Sequence, residues 1–259
     1  MTSAIDCIET TADLSSTAAS VEIASLTSFI ESFPLRGSSL YTTVFKRNSD
    51  IIQTQKARFA VVNLEKILTA TFEISATSGF DRMSLRDLSR QTGMSMGAIY
   101  SCISKKEDIA IMIADVVRLS SELTSQRAKQ CDSIWSKIEQ SIRFHLYSST
   151  LLQPWYFFLY FETRCLPEDQ QRVSKKIELD GIKSFEEQIQ AGVDIGEFHT
   201  DVPRVIANTI VVLLEDWYLK PWKNLSPWKS NISIEQQEKQ IKNYSQSIIE
   251  LVRKLLANP

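Results

Sequence analysis

The chemistry-bearing residues of this chain cluster between Ser84 and Ile109, in the stretch SLRDLSRQTGMSMGAIYSCISKKEDI. Ser84, Ser95 and Ser104 each stand where a helix could begin, and a serine oxygen there accepts a bond from a backbone N–H two or three residues on. Asp87 and Glu107 follow the first and third serines at three residues, close to the capping-box spacing. Gly93 lies between the first two phrases and can supply the left-handed backbone that ends one helix. Helix, glycine turn and short helix make a helix-turn-helix, whose second helix enters a DNA major groove.

With Leu85, Leu88, Met94, Ile99 and Ile103 turned inward, Ser95, Met96, Ala98, Tyr100 and Ser101 are left facing out, and Gly97 allows close approach. A second helix of about eight residues is about 12 Å long, a match to a groove about 12 Å wide. At Ser104-Lys105-Lys106 a further helix start combines backbone N–H groups, the helix dipole and two ammonium groups, all favouring phosphate.

These residues need a scaffold, and the remaining sequence reads as helices throughout. Seven glycines and seven prolines in 259 residues are few, against a turn-rich β protein. Net charge is −2, so a nucleic-acid surface must be local. Residues 1–55 form a Ser/Thr-rich extension expected to be partly disordered, with one docking helix over Val21–Phe33 stopped by Pro34 and Gly37. It reads either as a plain extension or as an interaction arm. Lys46, Arg47, Lys56 and Arg58 make a basic approach to the head, either a phosphate-contacting arm or a solvated face. Residues 56–118 form the DNA-binding unit, opened by an apolar stripe over Val61–Thr77, with the helix-turn-helix at about 84–103. A connecting helix follows from Lys105 to about Lys129.

Residues 119–259 form a second helical domain. Helices are expected over Cys131–Gln153, Trp155–Leu166, Pro167–Val193, Val202–Leu219 and Ile234–Leu256, with the break after the third marked by Gly192 and Gly196 and Asp201 capping the fourth. The fourth is apolar nearly all round, so it must be covered on more than one side, by a partner subunit or by its own core. The aromatic run Trp155–Phe161 is either core or the wall of an apolar pocket. Trp135, His145, Trp155, Phe158, Phe161 and Glu162 are its candidate lining, with Tyr147 and Arg164 as further polar handles.

Catalytic and metal chemistry find no foothold. His145 and His199 sit apart, and no nucleophile motif or phosphate loop is present. Cys7, Cys102, Cys131 and Cys165 show no metal-ligand spacing. Neither a metal nor a cofactor is expected. Cys102 reads as a small buried thiol. The longest apolar runs fall far short of the ~20 residues of a membrane span, and no secretory signal is evident, so a cytoplasmic location is expected.

The order Ile67-Leu68, Ala70, Gly79-Phe80, Ser84-Leu85, Leu88, Gly93, Ser95, Gly97, Ile99-Tyr100 and Lys106-Glu107-Asp108-Ile109 resembles the N-terminal signature of TetR/AcrR transcriptional regulators. Thr71, Cys102 and Ile103 depart from that pattern at packing positions, and Met96 stands where a polar or basic residue is common. The resemblance implies an all-α homodimer: a three-helix DNA-binding head joined to a larger C-terminal domain that binds ligand and dimerises. It implies phosphate contacts from Ser84, Arg86, Tyr100, Lys105 and Lys106, and base-edge contacts from Ser95, Met96, Gly97 and Ala98. The partners would be double-stranded DNA with a pseudo-palindromic operator, a second copy joined through helices at about 202–219 and 235–256, and a small apolar or amphipathic effector such as an acyl chain. The expected function is a repressor released by that ligand. The alternative is an architectural or division-linked DNA-binding protein of the same fold.

Overall fold

The computed structural model describes residues 25–54, 56–224 and 233–257. Residues 1–24 and 55 of the Ser/Thr-rich extension, which include the first residues of its expected docking helix, and residues 225–232 between the last two expected helices lie outside them. Among the described residues every regular element is helical.

The chain enters through α1 (Leu26–Ser32) and α2 (Gly37–Arg47). The sequence reading has one docking helix stopped at Gly37. The first helix does end ahead of Pro34, but Gly37, at φ 46°, opens a second helix instead of closing the first. Leu26, Phe29, Phe33, Leu40 and Val44 are buried, so residues 25–54 are a packed part of the molecule. Phe29 and Phe33 stack at 4.7 Å, and Phe29 lies 4.8 Å from the Phe144 ring and 5.3 Å from that of Tyr147.

The head comprises α3 (Ala57–Ser78), α4 (Leu85–Thr92) and α5 (Met96–Tyr100). Its core is the stripe Leu64, Ile67, Leu68 and Thr71 closed by Phe80, Leu88, Ile99, Cys102 and Ile103. Connecting helix α6 (Lys106–Ala128) leads to the body: α7 (Ile134–Leu151), α8 (Gln153–Phe161), a 3-10 turn Thr163–Cys165, α9 (Glu168–Asp194), α10 (Pro203–Leu219), α11 (Pro221–Asn224) and α12 (Ile234–Leu256). Pro154 sits in the first turn of α8, where its missing N–H costs nothing. Ser233 caps α12 reciprocally with Gln236.

Two glycines marked as one break do different jobs. Gly196, with φ 76°, ends α9. Gly192 lies within α9, and a Cβ there would fall 2.0 Å from Cδ2 of Phe198, so the missing side chain is what admits that ring. Asp201 does not cap α10: Val202 is the cap residue, and the Thr200 hydroxyl accepts from its N–H at 3.1 Å. Helix α10 buries Ile206, Ala207, Ile210, Leu214 and Trp217 inside the chain, yet leaves Val205 and Val212 59% and 53% exposed. Burial within one chain thus accounts for only part of its apolar surface.

Candidate nucleic-acid interface and interior cavity

The turn of the head follows the cap chemistry of its sequence. Ser84 accepts from the Asp87 N–H at 3.3 Å, while the Asp87 carboxylate accepts from the Ser84 N–H at 2.9 Å and hydroxyl at 2.6 Å. These bonds hold the Asp87 carboxyl below its ordinary range. Gly93 takes the left-handed conformation, φ 69°, and Ser95 caps α5 by accepting from the Ala98 N–H at 3.2 Å. At Ser104 the expected cap is displaced. The cap residue of α6 is Lys105, and the buried Asp108 carboxylate accepts from the N–H groups of Ser104 at 2.8 Å and Lys105 at 3.0 Å.

Helix α5 is shorter than the eight residues expected, although Ile103 still donates its N–H to the Ile99 carbonyl at 3.0 Å. Ser95, Gly97 and Tyr100 are exposed on its outer side, with Met96 and Ala98 half-buried. Ser84, Arg86 and Lys105 are also exposed and flank it. Arg82 and Arg90 are exposed cations nearby in sequence, and Arg90 pairs with Asp87 at 3.2 Å. Lys106 is engaged: its ammonium donates to the carbonyls of Phe80 at 3.3 Å and Asp81 at 2.6 Å and lies 5.4 Å from the Phe80 ring centroid. An ammonium has three protons, so at most one remains for a phosphate. Burial raises the Cys102 thiol pKa, which leaves it poorly reactive.

The extension reaches this surface too. The N–H groups of Gln53 and Thr54 both donate at 3.1 Å to the carbonyl of Ser101, just past α5. Arg47, read as part of a basic arm, instead grips Asp115 of α6 through two bonds of 2.6 and 2.8 Å.

The body holds a cavity of about 520 Å³, open to solvent on one side, between α6, α7, α8, α9 and α10. That volume falls within the range of small-molecule sites. Of the expected lining only His145 is there, together with Arg164. Trp155 packs 5.3 Å from Phe72, Phe158 4.9 Å from Phe80, and Phe161 4.6 Å from Phe157. Trp135 bonds Glu139 at 2.6 Å, under the Arg253 guanidinium. Tyr147 packs on Phe29. Glu162 accepts from the Phe80 N–H at 2.8 Å, so it ties the body to the head.

The residues missed lie on the other face of the same helix. Tyr156, Leu159 and Tyr160 line the cavity with Ser141, His145, Glu215 and Tyr218. The ring centroids of His145, Tyr156 and Tyr218 lie 5.1–6.3 Å apart. The Tyr156 hydroxyl donates to Ser120 at 3.0 Å. The Nε2 atom of His145 is buried without a partner among the described residues, and burial lowers its pKa to about 4. Among the described residues there is no cluster suited to a metal ion, and no helix is long and apolar enough to cross a membrane.

An all-α protein with a helix-turn-helix head and a ligand-sized cavity in its body is the class defined by this architecture. The fold is that of TetR-family transcriptional regulators. A TetR-family regulatory protein from Rhodococcus RHA1 is 18% identical, with 76% of this chain and 98% of that one covered at a TM-score of 0.60. The regulator FadR from Bacillus subtilis, solved with stearoyl-CoA, is 17% identical over 74% and 99% of the two chains, TM-score 0.56. AibR, solved with isovaleryl coenzyme A and operator DNA, is 16% identical over 75% and 98%, TM-score 0.55. No family model matches the chain, and no curated protein matches it by sequence.

Proposed function

We propose that this protein is a sequence-specific DNA-binding transcriptional regulator, a repressor released when a small ligand fills the body cavity. The observation that carries the reading is the pairing, on one chain, of an exposed helix-turn-helix face with a partly open cavity whose wall helix α8 also holds the head. On one face α8 presents Tyr156 and Tyr160 to the cavity; on the other, Phe158 and Glu162 grip Phe80. A ligand that shifts α8 would therefore move the head. An architectural protein without an inducer has no use for that cavity.

In the bound state α5 enters the major groove. Ser95, Met96, Gly97 and Ala98 face base edges, with Met96 offering an apolar contact to a thymine methyl. Tyr100, Lys105 and Arg86 hold phosphates, joined by Ser84 and by the remaining proton of Lys106. Two copies associate through α10 and α12, where Val205, Val212, Leu251 and Leu255 are exposed, and so read a pseudo-palindrome. The effector is small and apolar or amphipathic. An acyl chain is one such class, and the acyl-coenzyme A complexes of the two regulators above support it. Genome-wide footprinting with the purified full-length protein tests the reading. Discrete pseudo-palindromic sites are expected; binding with no preferred sites would overturn it.

A further inference from the structure

The wall of the cavity carries a carboxylate with no partner among the described residues. Glu215 of α10 shares the cavity wall with Tyr156, Tyr160, Tyr218 and His145, lies close enough for its charge to act on Tyr218 and Tyr160, and makes no ion pair or hydrogen bond among the described residues. The cations around it are spent or peripheral. Arg118 of α6 is held by Asp115 and Glu122. Arg164, after α8, and Lys175 of α9 are exposed at the rim, the latter 3.4 Å from Gln171. The other acids of the wall on α9 are Asp180, paired with Lys176, and Glu178. Burial and the charge of Glu178 push the Glu215 carboxyl up to about 7.

A half-buried carboxylate of this kind is costly without a partner. An anion entering the cavity would meet Glu215 and Glu178 together. A cation would supply the missing charge, and the tyrosine rings beside Glu215 would offer it their negative faces. We infer that the ligand of this cavity is a lipophilic amine, its protonated nitrogen seated against Glu215 and the rings of Tyr156 and Tyr218, its apolar body along Leu159 and Val211.

This inference rests on the cavity being the effector site proposed above. Isothermal titration calorimetry on the full-length protein at pH 8 compares octylamine, octanol, octanoate and octanoyl-coenzyme A. Octylamine is expected to bind at least tenfold tighter than octanol, and octanoate more weakly than either. Glu215→Gln should erase the tenfold preference, octylamine falling to the level of octanol measured on the same variant; retained octanol binding there shows that the variant cavity is folded. Lowering the pH from 8 to 6 should weaken octylamine, not octanol, as Glu215 takes up a proton. Equal binding of amine and alcohol, tighter binding of octanoate or octanoyl-coenzyme A, no octylamine binding at millimolar concentration, or an amine preference that survives Glu215→Gln each overturns the inference. Anisotropy of bound operator DNA separates the two levels. Glu215-dependent amine binding that leaves DNA affinity unchanged defeats the effector reading and keeps the site; release by the thioester alone defeats the amine and keeps the regulator.

Discussion

His145 should make the protein acid-sensitive by an amount that its burial sets. The ring lines the cavity on α7, its Nε2 is buried without a partner among the described residues, and its pKa is about 4 against 6.5 in an exposed histidine. Below pH 6.5 the unfolded chain binds a proton that the folded protein refuses until about pH 4, so stability falls as pH drops through that window. At pH 4.5 the unfolded ring is almost wholly charged and the folded one mostly neutral. The difference is about 2.5 kcal/mol, at 1.36 kcal/mol per pH unit. At pH 7.5 it is close to zero. Urea unfolding of the protein and of His145→Gln at both pH values, at one fixed protein concentration, isolates this contribution. The variant loses stability at both values by whatever the substitution itself costs, but the gap between it and the parent should shift by about 2.5 kcal/mol in its favour on acidification. A shift under about 0.5 kcal/mol would refute the argument, because it would mean that the ring is hydrated or paired in the folded protein.

Other substitutions probe the head, the body and the joints between them. Lys105→Ala should weaken DNA binding to all sequences alike and lower the slope of log affinity against log salt by about 1, measured by anisotropy across a salt series. Glu162→Ala should leave the Phe80 N–H without its partner, costing about 1–3 kcal/mol in urea unfolding, and should reduce ligand-driven release of DNA more than ligand affinity. Gly192→Ala should destabilise by about 1–3 kcal/mol, because its new methyl meets the Phe198 ring; combining it with Phe198→Leu should recover part of the loss. Arg47→Ala should cost about 1 kcal/mol near neutral pH, read from the urea midpoint. That loss should shrink in acid, since Arg47 and Arg118 hold the Asp115 carboxyl low and the pair is lost as Asp115 takes up its proton.

The turn of the head was legible because its signals are local. Ser84, Asp87, Gly93 and Ser95 each act on backbone within a few residues, so spacing along the chain is enough. The expectation slipped where a bond reaches farther or where two local readings compete. Asp108 and not Ser104 settles the start of α6, and the Lys106 ammonium folds back on carbonyls of Phe80 and Asp81, over twenty residues earlier. The cavity shows the same limit. Aromatic density in Trp155–Phe161 pointed to the right helix but not to its face. Residues at 156, 159 and 160 share the cavity side, whereas 155, 158 and 162 share the opposite one, and only packing against Phe72 and Phe80 decides between them. Glu215 and Tyr218 sit in a helix whose apolar character concealed them, because the adjacent acids Glu215 and Asp216 near its end give no sign of which one meets Lys220 and Lys223 and which one faces the cavity.

Helices α1 and α2 turn the head into a load carried at two points. One end of the extension is bedded in the body, with Phe29 and Phe33 against Phe144 and the Arg127 side chain reaching Ser32 at 3.3 Å. The other end is fixed to the head side, through Arg47 on Asp115 and the two N–H groups on Ser101. A head that pivots on α6 alone would have one mount; this one must also slide or shed a bracket that touches the end of α5, the helix proposed to read DNA. The bracket sets a threshold for movement, and its grip on Ser101 means that the threshold is felt at the end of α5 itself.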